Sequence, residues 1–194
     1  MTLEGLLVDL VPRGQVFLDR EHVWRNNESS FWSSGGDRYF ATQAALRAQF
    51  EQWDEARGQR RDDSVTFGLQ TKDGTPIGFI SINWLHTTYR LALLGARIGD
   101  PEYWGGGYGT DALLLTVDYA FDWLDVRKIW LMTTSMNERV QRQMVKCGFR
   151  LEARRRAAVL ADGVWYDELA YGLLREEWPG REAMIERLGL RGKA

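Results

Sequence analysis

Residues 98–112, IGDPEYWGGGYGTDA, constrain this chain more than any other stretch. The apolar run from Leu91 to Ile98 reads as a strand, and Ala112 to Leu124 is apolar enough and long enough for a mostly buried helix. Gly105, Gly106, Gly107 and Gly109 stand at the handover between the two. Without a Cβ, glycine lets backbone N–H groups come close to an anion. Thr110 and the amides after it add a helix N-terminus, which carries partial positive charge. A phosphate is the natural guest. A P-loop closes on Gly-Lys-Ser/Thr, whereas this turn closes on Gly109, Thr110 and Asp111 with no lysine. A dinucleotide fold puts its turn after the first strand of a βαβ unit, and this turn lies past the middle of the chain. The plain structural alternative is a tight turn that packs a helix closely on a strand.

Upstream, Leu6, Val8 and Leu10 alternate with Leu7, Asp9 and Val11 before Pro12, the pattern of a short first strand. Residues 15–26 read as a helix. The stretch from Trp24 to Asp37, rich in Asn, Ser and Gly, reads as a loop whose aromatics Phe31 and Trp32 cover core or substrate. Thr42 is placed to cap a helix from Gln43 to Arg57, with Ala45, Leu46, Phe50 and Trp53 on one face. VTFGLQT at 65–71 and IGFISINWL at 77–85, joined through Asp73 and Gly74, read as a hairpin. Residues 127–134 supply another strand, and Asn137 to Lys146 a helix stopped by Gly148. Residues 149–160 and 164–174 form a final strand pair, and a short helix follows Pro179. No repeat or second domain boundary is visible, so residues 1–194 read as one domain.

The net charge of −2 lacks the basic footprint of a nucleic-acid binder. A single cysteine, Cys147, forms no intrachain disulfide, and with the distant His22 and His86 it makes no metal-ligand cluster, so no catalytic metal is expected. Cys147 falls at a helix C-terminus, where the dipole disfavours thiolate, and reads as a buried structural thiol. His86 falls in the loop after NWL, near a substrate mouth, with an ordinary polar-loop role the blander reading. No basic start followed by an apolar run and no membrane-length apolar stretch occurs, which reads as a cytoplasmic protein without a membrane partner. Nine Trp are more than such a core needs. Trp32 in the early loop and Trp84 at a strand end are the candidate substrate-side aromatics, with core packing their more ordinary role.

Three stretches carry a family resemblance. Trp104 to Gly109 matches a pyrophosphate motif of Gln or Arg, two residues, Gly, one residue, Gly or Ala, with Trp104 in the first place. NERVQRQMVKCGF at 137–149 and DGVWYDELAYGLLREEW at 162–178 follow in the right order. Together they resemble the GNAT superfamily of acyl-CoA N-acetyltransferases. The nearest likeness is to the branch that acetylates ribosomal-protein N-termini and includes relatives acting on spermidine.

The resemblance implies an α+β fold whose central, mostly antiparallel sheet of seven strands is flanked by helices and splayed between 91–98 and 127–134. Acetyl-CoA would lie in the splay as co-substrate, and an amine would attack its thioester directly. The backbone around Ile98 would pair with the pantetheine arm. Trp104, Gly105, Gly106, Gly107, Tyr108, Gly109 and Thr110 would hold the pyrophosphate, and Asn137 would bond the pantetheine near the sulfur. Arg142 and Lys146, four apart, either reach a CoA phosphate or form a solvated basic face. Two departures bear on mechanism. Leu93 stands where relatives carry a Glu that serves as or orients a base, and Met144 where they carry a Tyr that protonates the thiolate. The thiolate then leaves with help from water or from a group such as Ser135, so Ser135 and Asn137 are the candidate catalytic residues. The implied function is acetyl transfer to a primary amine of a small molecule or a protein N-terminus. The alternative, raised by Leu93 and Met144, is a non-catalytic acyl-CoA-binding or regulatory domain. Asp37, Asp62 and Asp63 either favour a cationic amine or are simply solvated. The strands at 149–174 have edges along which a homodimer could pair.

Overall fold

Strands β1 (Leu3–Glu4), β2 (Val8–Pro12), β3 (Val65–Thr71), β4 (Pro76–His86), β5 (Leu91–Ile98), β6 (Lys128–Thr134), β7 (Arg150–Ala161) and β8 (Val164–Leu174) form one sheet. Their order is β1-β2-β3-β4-β5-β6-β8-β7. This computed structural model describes residues 2–33, 36, 40–58, 64–86 and 88–192, without the side chains of 33, 53–58, 84 and 86. The eighth strand is β1, two residues paired to β2 and too short to leave an alternation in the sequence. Every neighbouring pair is antiparallel except β5 and β6. That parallel pair is joined only where Leu91, Ala92 and Leu93 meet Lys128, Ile129 and Trp130. From Leu94 on, no ladder links the two strands, and the sheet opens there.

Helices α1 (Gln15–Arg25), α2 (Glu28–Ser33), α3 (Gln43–Gly58), α4 (Tyr108–Asp122), α5 (Glu138–Lys146) and α6 (Arg181–Leu188) complete the fold. Three expectations need correction. The stretch expected as a loop from Trp24 holds the end of α1 and all of α2. Its polar residues act as local acceptors and donors: the Asn27 side chain accepts from the Ser29 N–H at 2.8 Å, and the Ser29 hydroxyl donates to the Trp24 carbonyl at 2.9 Å. Ala45 is exposed, so the buried stripe of α3 consists of Leu46 and Phe50 among the described side chains, and Trp53 lies outside them. The helix expected from Ala112 starts at Tyr108, inside the glycine turn, and ends at Asp122. The Thr42 cap forms, its hydroxyl accepting from the Ala45 N–H at 3.2 Å.

α4 is buried through Leu113, Leu114, Val117 and Phe121, and α1 lies on the opposite face of the sheet. Trp24 of α1 is fully buried against Gly99, where a Cβ would sit 2.1 Å from the indole, so only glycine admits this approach. α1 is also tied to β5 by charge. The fully buried Glu21 takes Arg13 at 2.8 Å, Arg25 at 3.0 Å and Arg97 at 3.0 Å. Burial lowers the Arg97 guanidinium to about 10, with Glu21 pulling the other way. This cluster fixes the wall of the sheet opening.

Candidate functional site

The opening between β5 and β6 is a cleft of about 850 Å³. Residues 94–98 of β5 line one side and residues 131–134 of β6 the other. Because the parallel ladder stops at Leu93, the β6-facing backbone of β5 beyond it is left for a ligand. The Ile98 carbonyl is already engaged, accepting the Trp104 indole N–H at 2.9 Å, so it serves to fix Trp104.

The glycine turn stands at one mouth. Gly107 is the N-cap of α4 with φ of 89°, a left-handed conformation that favours glycine. Gly105, Gly107, Gly109, Thr110 and Trp104 line the cleft. Gly106 and Tyr108 do not: Tyr108 is buried and packs edge-on against Tyr103 at 5.2 Å, so its side chain belongs to the core. α5 supplies the facing wall. Asn137 caps it, accepting from the Val140 N–H at 3.3 Å, and lines the cleft at the end of β6.

Arg139, Arg142, Gln143 and Lys146 then recur at helical spacing along the cleft side of α5. Arg142 pairs with Glu138 at 2.9 Å in an exposed position. The Arg139 guanidinium lies 4.1 Å from the centre of the Trp104 ring, and burial lowers its pKa. Gln143 donates to the Thr110 hydroxyl at 3.4 Å, tying α5 to the first turn of α4. Arg139 and Gln143 were missed in the sequence, although their three- and four-residue spacing with Arg142 and Lys146 was a readable signal. The rim thus combines a helix N-terminus with three cations, an arrangement suited to a polyanion.

At the other mouth are Trp32, Ser29, Thr134, Glu168 and residues 158–160 of β7. The structure brings Trp32 to the cleft and leaves Ser135 outside its lining. The Ser135 hydroxyl accepts from the Asp167 N–H at 3.0 Å, and its own N–H donates to the Asp167 carbonyl at 2.8 Å, so the residue extends the β6–β8 pairing. Leu93 sits at the end of the parallel ladder and Met144 is buried on the cleft wall. Trp84 and His86 are strand residues of β4, whose side chains lie outside those described, and His86 ends the strand where a loop was expected. Asp37, Asp62 and Asp63 also lie outside the described residues. Among the described residues no group of His, Cys, Asp and Glu could hold a metal ion, and no helix is long and apolar enough to cross a membrane.

Cys147 is buried at the end of α5, and burial pushes its thiol up to about 11. At pH 8 roughly one thiol in a thousand is then ionised. Native protein is expected to react with a thiol reagent only on unfolding, and prompt labelling at pH 8 would refute the burial. Because the folded state holds this proton more tightly, the linked stability is intact below pH 9.0 and is lost as the pH rises toward 11.

A mostly antiparallel sheet opened at one short parallel pair, with a glycine-rich helix N-terminus at the opening, defines a class of α/β proteins with a cleft between two splayed strands. The chain belongs to the acetyltransferase (GNAT) domain family, which matches residues 14–150. YdaF of Bacillus subtilis, provisionally named a ribosomal N-acetyltransferase, is 30% identical over 110 residues, 57% of this chain and 60% of that protein. YjcK of the same organism, provisionally named an N-acetyltransferase, is 34% identical over 121 residues, 60% and 65% of the two chains. The chain therefore matches under two thirds of the length of these relatives. Among solved structures, Mycobacterium smegmatis RimJ in complex with CoA-disulfide superposes with a TM-score of 0.80 at 20% identity, covering 100% of this chain and 97% of that one. The spermidine N-acetyltransferase of Vibrio cholerae with CoA and spermine gives 0.77 at 19%, covering 88% and 96%. At these identities the two structures establish a shared fold.

Proposed function

We propose that the protein, acting as one domain, transfers an acetyl group from acetyl-CoA to a primary amine of a small molecule or a protein N-terminus. The observation that carries this reading is the broken β5–β6 ladder, with the glycine turn and the cationic face of α5 at one mouth. The amides at Gly105, Gly107, Gly109 and Thr110, with Arg139, Arg142 and Lys146, suit the phosphates of CoA. The pantetheine arm would run along the free edge of β5, past Asn137, toward the second mouth. An amine entering there meets the thioester in the splay, and proximity supplies much of the rate. Met144 donates no proton, and Ser135 does not line the cleft, so the leaving thiolate takes its proton from water. Family membership and the names of the relatives support acetyl transfer. The single thiol Cys147 agrees with a cytoplasmic setting.

A non-catalytic acyl-CoA-binding domain is the second reading, favoured by Met144. Calorimetry with acetyl-CoA is expected to give saturable binding that CoA competes for and ATP does not match. Amine-dependent release of free thiol then separates the two readings. Tight binding without acceleration by any amine, peptides included, would leave the binding domain standing. Sedimentation of the same sample tests a homodimer paired along β7, the outer strand whose residues 150–158 are exposed.

A further inference from the structure

The two mouths of the cleft differ in charge. Arg139, Arg142 and Lys146 line the cleft from α5, with Arg139 within the field of Glu28, whereas Glu168 of β8 is the one carboxylate among the described residues lining the cleft. Register fixes the side of the sheet it faces. Leu93 of β5 pairs with Trp130 of β6, and Thr134 of β6 pairs with Glu168 of β8. Side chains alternate along a strand, so Arg97, Trp130, Thr134 and Glu168 share one face. That is the face of α1, since Arg97 bonds Glu21. Ile98 points to the other face, where its side chain lies near Gly109 at the start of α4. Glu168 therefore stands across the sheet from the phosphate cradle, at the mouth left for the acceptor.

Two further observations bear on what Glu168 meets. The Thr134 hydroxyl, directly opposite it, is buried without a hydrogen-bond partner on the cleft wall, an arrangement that calls for a polar ligand group, and beside a carboxylate an N–H or O–H donor suits both oxygens. The carboxylate is ion-paired with Arg155 of β7, whose side chain is 66% exposed while that of Glu168 is 19% exposed. Such an arginine can swing into water and be replaced by another cation at small cost. A buried hydroxyl oxygen and a carboxylate side by side offer two acceptors to one group with several N–H donors and a positive charge, which describes an ammonium.

We propose that Glu168 and Thr134 form the seat of an acceptor ammonium, with Arg155 holding the carboxylate until the acceptor arrives. The inference rests on the acetyltransferase reading for the identity of the ligand as acceptor, and it makes that acceptor a cationic amine. Glu168 is a specificity-determining residue in this account, and the carboxylate is not required for thioester cleavage as such.

The test titrates the CoA-loaded protein with butane-1,4-diamine, with butane-1,4-diol as the uncharged control. Wild type should bind the diamine saturably and the diol not at all. Glu168→Gln should weaken diamine binding by roughly 10–100-fold, the loss expected of a charged hydrogen bond. Thr134→Val should weaken it by several-fold. Arg155→Gln removes the competing cation and should strengthen diamine binding, a gain that damage to the fold would not produce. No diamine binding by wild type, equal binding by Glu168→Gln, or loss of acetyl-CoA affinity in Glu168→Gln would each overturn the seat. Thiol release, measured in parallel, separates the two claims. Diamine binding without thiol release from this or any other amine keeps the seat and defeats the transferase, and diamine-dependent release with the same KM in Glu168→Gln does the reverse.

Discussion

Asp111→Ala is expected to remove about 3–5 kcal/mol of folding stability, the loss typical of stripping one partner from a buried, hydrogen-bonded charge. The midpoint of thermal unfolding should fall by on the order of 10 °C. Asp111 is fully buried in the first turn of α4. One of its oxygens accepts from the Leu7 N–H at 2.7 Å and the Val8 N–H at 3.1 Å, and the other meets Arg181 at 3.3 Å. The carboxylate joins α4 to the start of β2 and to α6, and its charge also suits a helix N-terminus. Alanine would leave two buried N–H groups unsatisfied and a half-buried guanidinium without its counter-charge. Asp111→Asn keeps an acceptor for the backbone but not the charge, so that variant should lose only part of the stability. The residue sits directly after Gly109 and Thr110, so acetyl-CoA affinity should fall with stability in Asp111→Ala. Urea or thermal unfolding at pH 7 checks this, and a loss under about 1 kcal/mol, typical of a surface substitution, would count against it.

The central stretches of this fold were legible because local chemistry and tertiary contacts agree there. The D-G turn at Asp73 and Gly74 closes the β3–β4 hairpin, Thr42 and Asn137 cap the helices their positions imply, and Gly148 stops α5 with φ of 90°. The segments that misled are those whose shape depends on distant partners. α2 is six residues of mixed polarity, and the Asn27 side chain ties its start to the Gly99 carbonyl at the end of β5, 72 residues away. Propensity alone gives such a segment little reason to be helical.

The site divides the same way. Trp104, Gly105, Gly107, Gly109, Thr110, Asn137 and Arg142 are close in sequence to a recognisable turn or helix cap, and the structure gathers them on the cleft. Glu168 and Thr134 acquire meaning only through strand register, which no local pattern states. Ser135, one residue along from Thr134, lies past the end of β6, and its hydroxyl accepts from the Asp167 N–H of β8 instead of lining the cleft.

Gly109 separates a ligand cradle from a merely tight turn. It lies inside α4 without a positive φ, so a side chain is conformationally permitted there. An added Cβ would meet the Gln143 side chain at 3.6 Å and Ile98 at 3.8 Å, ordinary van der Waals contacts, and both neighbours line the cleft. The fold itself therefore does not require glycine at this position. Gly109→Ala is expected to leave the protein as stable or to raise its stability by up to about 1 kcal/mol, because alanine is the better helix former. The same methyl would occupy the space through which a pyrophosphate reaches the α4 amides, so acetyl-CoA affinity should fall while stability rises. Gly109→Leu should reduce affinity by roughly 100-fold or more, about 3 kcal/mol of steric conflict. A turn that is glycine-rich only to pack a helix on a strand predicts lost stability in Gly109→Ala and no independent change in affinity. Calorimetry with acetyl-CoA and thermal unfolding on the two variants distinguish these accounts. Unchanged affinity in Gly109→Leu would mean that the phosphates lie elsewhere and that the α5 cations, not the glycine turn, hold the cofactor.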